Sequence, residues 1–73
     1  MDIEKAAQTY EEMFQPCETM NELVKRFDQI DDQMWDYMCD NSILEEADAI
    51  EQMADEDLIS AGERDACLDA LVD

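Results

Sequence analysis

Histidine is absent from this chain, glycine and proline occur once each, and four lysines and arginines stand against 22 aspartates and glutamates. Without histidine, general acid–base chemistry falls to carboxylates with shifted pKa values. These need a pocket, and a 73-residue chain has little volume to enclose one. A single glycine cannot build a phosphate-cradling loop, and no nucleophile has a candidate base, so the sequence predicts no enzyme and no cofactor. Zinc has neither histidine nor paired cysteines to use, since Cys17, Cys39 and Cys67 are widely spaced. A calcium loop fails as well. Asp55 and Asp57 begin the right alternation, but Ile59 takes the next ligand position and Gly62 comes two places too late. No metal site is expected. An odd number of scattered cysteines is no disulfide framework, no apolar run reaches transmembrane length, and the first residues lack the basic-then-apolar order expected of a signal peptide. The expected setting is a reducing cytoplasm. The shortage of bases also argues against direct binding of nucleic acid or an anionic membrane. It argues for a basic protein partner.

What is present is apolar residue content and negative charge. Hydrophobic residues make up 47% of the chain, more than a disordered tail carries, so a folded single domain over residues 1–73 is expected. The net charge is −18, well beyond the magnitude of about 2–8 that serves solubility in a small domain. It is also skewed. Residues 1–27 carry a net −3, and residues 28–73 carry −15 with Arg64 as their only base. A uniformly solvated surface gives no reason for that imbalance.

The fold class expected is all-α, a small bundle of three to four helices organised on one long helix over about residues 19–39. Met20, Leu23, Phe27, Ile30, Met34 and Tyr37 follow one another in steps of three and four, which makes an apolar seam on that helix. Thr19 with Glu22 has the form of a capping box at its start. A first helix is expected over residues 2–14, capped by Asp2, with Ile3, Ala6, Ala7, Tyr10, Met13 and Phe14 on one face and Gln15-Pro16 as its stop. Asp40-Asn41 is expected to end the long helix. Ser42 with Glu45 reads as a second capping box, opening a third helix with Ile43, Ala47, Ile50 and Ala54 inward. Ser60 with Glu63 reads as a third box, opening a last helix whose core residues are Cys67, Leu68, Leu71 and Val72. Period-two alternation is missing, so no strand is expected.

On the side of the long helix away from the seam, Asp28, Asp32, Asp36 and Asp40 recur every fourth residue, about 6 Å apart along the axis. The plain reading is the wet face that every amphipathic helix has. The sharper one starts from DNA, which presents about one negative charge per 3.4 Å of axis on each strand and is met by Lys and Arg. A stiff helix bearing these four aspartates can imitate a run of phosphates. Asp31 beside them, and Glu45, Asp48 and Asp55 of the third helix, extend the candidate partner-binding set, with Trp35 as an aromatic anchor. In size, acidity and helical pattern the whole chain resembles the small DNA-mimicking inhibitors that bacteriophages and mobile elements use against restriction, CRISPR or repair enzymes. The likeness is one of kind, since no motif ties particular residues to one family. It implies a protein of the bacterial host's cytoplasm that occupies the nucleic-acid-binding surface of a host defence or DNA-processing protein. The alternative is a helical adaptor that grips a basic helix or protein surface through apolar Met and Trp contacts. A homodimer that pairs the long helices along the Met20-to-Tyr37 seam is compatible with either.

Overall fold

Helices fill most of residues 1–72, the part of the chain described in the computed structural model. They are α1 (Ile3–Phe14), α2 (Met20–Asn41), α3 (Glu46–Asp55) and α4 (Ala61–Leu71), and no strand occurs among the described residues. Three of the four starts are fixed by side chains that satisfy N–H groups a helix would otherwise leave unpaired. Asp2 accepts the Lys5 N–H at 3.1 Å. Thr19 and Glu22 form the reciprocal box at the start of α2, and Ser60 and Glu63 form the same box at the start of α4. At the other end of α1, Gln15 turns left-handed at φ 45° immediately before Pro16, which keeps it out of the right-handed helical region.

The expected box at Ser42 does not form. The long helix runs on to Asn41, whose side-chain amide donates to the Tyr37 carbonyl at 3.0 Å. Ser42 then takes a left-handed conformation, φ 54°, and its N–H closes the last turn on the Met38 carbonyl. Ser42 therefore ends one helix instead of opening the next. Glu45 precedes α3 with no side-chain cap at all.

The helices form a ring in chain order. α1 packs on α2 and α4, and α3 packs on the same two from the other side. Leu23, Phe27, Ile30 and Met34 of α2 are fully buried, as the seam predicts, and Met38 joins them while Tyr37 stays half-buried. Ala6 and Ala7 let α1 approach closely, and Tyr10 meets Phe27 edge-on with ring centroids 5.7 Å apart. The middle of this seam is thus spent inside one copy, while Met20 and Tyr37 at its ends stay partly covered. Two helices differ from expectation in register. In α3 the fully buried residues are Ala49, Ile50 and Met53, while Ala47 and Ala54, and Ile43 ahead of the helix, are only partly covered. In α4 they are Ala66, Cys67 and Ala70. Leu68 and Leu71 sit at the boundary, and Val72 is 76% exposed.

Charge is kept on the surface: none of the described polar or charged residues is fully buried. Two polar links tie α2 across the ring. The Arg26 guanidinium donates two bonds to Glu63 of α4, at 2.6 and 3.2 Å, and the Tyr37 hydroxyl donates to Glu56 beyond α3. That bond to Glu56 raises the tyrosine's pKa. No described helix is long and apolar enough to cross a membrane. The three cysteines divide sharply, since Cys17 and Cys39 are exposed while Cys67 is buried with its thiol pushed up to about 12 by that burial. In a thiol titration at pH 8, two equivalents should therefore react quickly, and the third should appear only at the rate of unfolding. Three fast equivalents would contradict the placement of Cys67.

Candidate functional site

Asp28, Asp32, Asp36 and Asp40 are all exposed, and they lie opposite the buried side of α2. Four residues overshoot one helical turn by about 40°, so the carboxylates form a slowly winding rank. Their axial spacing of about 6 Å is close to the roughly 7 Å between alternate phosphates of one DNA strand. Among the described residues, no ion pair engages any of the four. Arg26 goes to Glu63, Arg64 to Asp65, and the Met1 amino group lies near Asp31 and Glu46. The rank is also placed where it costs stability. Like charges four apart repel, and the last turn of α2 has no basic residue to offset Asp40 at the negative end of the helix dipole.

Asp31 does not belong to this rank. It is turned toward the junction of α2 with the chain start and α3, partly buried, its Oδ1 3.7 Å from the Met1 amino nitrogen. Glu46 reaches the same nitrogen at 3.5 Å. The Oδ1 atom is shielded from solvent and has no hydrogen-bond partner. Burial raises its carboxyl above the usual range, the nearby Glu46, Asp32 and Asp28 add to that, and the amino group pulls the other way. Asp31 thus faces this junction and not the exposed side of α2 that carries the other four aspartates.

The residues expected from α3 also separate. Asp48 and Asp55 are exposed on its outer side, with Glu51 between them, giving a second, shorter acidic line. Each line lies opposite its own helix's buried side, so α2 and α3 present two lines and not one sheet of charge. Asp55 also borders a hollow shared with Glu51, Arg64 and Asp65. Glu45 is apart from both lines. It stands in the connection ahead of α3 and shares an open groove of about 550 Å³ with Trp35.

That groove joins three parts of the chain: Trp35 and Met38 from α2, Leu44, Glu45 and Glu46 around the start of α3, and Leu71 at the end of α4. Trp35 is 49% exposed, so it is neither a core residue nor a freely projecting one; it forms a wall. Leu44 is 93% exposed although its neighbour Ile43 packs against the core. Of the residues that line the groove, only Trp35 and Glu45 belong to the candidate partner-binding set, and Leu71 was expected in the core. The only local signal was the isolated pair Ile43-Leu44, of which a chain turning from one helix into the next can bury just one. No family model, no curated protein and no solved structure matches this chain.

Proposed function

We propose that this protein is an acidic inhibitor that occupies the nucleic-acid-binding surface of a basic protein, in the manner of the DNA-mimicking proteins of phages and mobile elements. The observation that carries the reading is the rank Asp28–Asp32–Asp36–Asp40: exposed, evenly spaced on the longest described helix, and engaged by no ion pair among the described residues. A surface that binds DNA is lined with Lys and Arg arranged to meet phosphates. Carboxylates held at near-phosphate spacing on a stiff helix meet the same groups without the ordering cost of a flexible acidic tail. The remaining negative charge adds a long-range field that speeds encounter and falls off with ionic strength. Asp48, Glu51 and Asp55 offer a second line of contact for a partner broad enough to reach both helices. The partner class is a host defence or DNA-processing protein, and the site of action is the bacterial cytoplasm.

A helical adaptor is the competing reading, and the Trp35 groove is the feature in its favour. Competition separates the two. A basic partner retained from bacterial lysate at 0.1 M salt should be released by duplex DNA added at that same salt. If only detergent or mutation of the groove releases it, and DNA does not, the nucleic-acid reading is wrong.

A further inference from the structure

The acidic rank alone would bind any basic surface, so it cannot choose one target. We infer that the groove between Trp35, Leu44 and Leu71 receives an amphipathic helix of the partner, one with a bulky apolar face flanked by Arg or Lys. This rests on the reading of the acidic face given above and adds to it the element that sets specificity.

Three features point to that occupant. First, most of the lining is apolar: Met38, Ala47 and Leu71 border the open site, and Trp35 and Leu44 expose large side chains to solvent there. Exposed tryptophan and leucine converging on one concave site differ from single surface hydrophobes, which need no explanation. Second, the polar groups at the groove are Glu45 and Glu46, and no basic side chain lines it. Asp32, one turn before Trp35 on the same helix, continues the negative border into the rank. Glu46 is already met by the Met1 amino group at 3.5 Å, but a purely apolar ligand would leave Glu45 unanswered, whereas Arg or Lys beside the apolar face would pair with it and could stack on the indole. Third, the fold restricts the mode of recognition. A helical bundle offers no sheet edge to extend, and a single tryptophan does not make the aromatic-lined slot that polyproline ligands use. A helix laid in a groove, anchored by residues three and four apart, is the mode that an open apolar site with an acidic border suits.

Trp35 is the only tryptophan in the chain, so its fluorescence reports on the groove alone. The probes are two synthetic 18-residue peptides of identical composition in Leu, Lys and Arg. One has leucines at helical spacing, and the other has the same residues scrambled. At 0.3 M NaCl the ordered peptide should shift the Trp35 emission to the blue and bind at least tenfold more tightly than the scramble. Leu44→Ser should abolish that preference without disturbing the fold, because Leu44 is 93% exposed. Asp32→Lys with Asp36→Lys should weaken both peptides alike. Equal binding of the two peptides without an emission shift, or a preference that survives Leu44→Ser, overturns the groove assignment and leaves the acidic face standing. Unchanged affinity of both peptides for the Asp32→Lys, Asp36→Lys variant overturns the acidic face instead.

Discussion

Replacing Asp32 and Asp36 together by lysine should weaken binding to the basic partner by about a hundredfold at 0.1 M salt, a loss of about 2.7 kcal/mol. The same double reversal at Glu4 and Glu11, both exposed on α1, should cost less than threefold. Both variants move the net charge from −18 by the same amount, so a general loss of attraction affects them equally. The difference between them isolates position. At 32 and 36 the change converts two phosphate-like contacts into two like-charge contacts in the middle of the rank, where repulsion cannot be avoided by tilting the helix. It should also flatten the dependence of affinity on salt, because fewer ion pairs form. Titration of the captured partner against each variant at several salt concentrations checks both parts. Equal losses would mean that the charge acts only as a diffuse cloud. Asp40→Lys gives an independent sign. It puts a cation at the negative end of the α2 dipole and an attractive pair with Asp36, so it should raise the Tm by about 5 °C while weakening binding. A substitution that stabilises the protein and impairs it together marks a residue kept for function.

The parts of this arrangement that were legible in the sequence are those governed by neighbours within one helix. The α2 seam, the boxes at Thr19 and Ser60, the Asp2 cap and the exposed rank all follow from spacings of three and four residues. Ser42 shows where that logic stops. Its Ser-x-x-Glu pattern has the same form as the other two, yet α2 continues through Asp40 because Asn41 closes its last turn from outside the seam. In α3 the apolar positions 47, 49, 50, 53 and 54 fit two overlapping faces, and the choice falls to whichever packs against α2 and α4. There the larger Met53 displaces Ala47 and Ala54 from the centre. Asp31 had no local signal, since the groups that meet it belong to Met1 and Glu46, on other elements. The groove was hidden for the same reason. Trp35, Leu44 and Leu71 become neighbours only when the two connections from α2 to α4 have closed.

As the pH falls from 7, stability should first rise and then drop on further acidification. Two carboxyls set the two limbs. Asp31, raised by burial and by its acidic neighbours, takes up a proton more readily in the folded protein than in the unfolded chain. Its contribution favours folding at low pH and is lost as the pH rises through the raised value. Relief of the −18 self-repulsion acts in the same direction. Glu63 behaves oppositely. Burial pushes its carboxyl up, but the Arg26 guanidinium and the Ser60 N–H hold it below the usual range on balance. Its contribution is complete above the unfolded value of 4.5 and is lost as the pH falls through the lower, folded one. Glu63 is 12% exposed but Arg26 is 45% exposed, so water screens the bridge in part and its share of the effect is the smaller for it. Glu63→Gln keeps the shape but surrenders the charge on both the Arg26 bridge and the capping box. At pH 7 it should cost about 2 kcal/mol, or roughly 10 °C in Tm, and it should flatten the acid limb. Asp31→Asn should do the reverse, raising the Tm at pH 7 and flattening the neutral limb. Thermal unfolding of the native protein and the two variants from pH 3 to 8 provides the measurement. An acid limb of the same depth in Glu63→Gln would mean that the Arg26 and Ser60 bonds contribute nothing to stability, and a Tm at pH 7 lowered by Asp31→Asn would mean that the partly buried carboxylate is no cost to the fold.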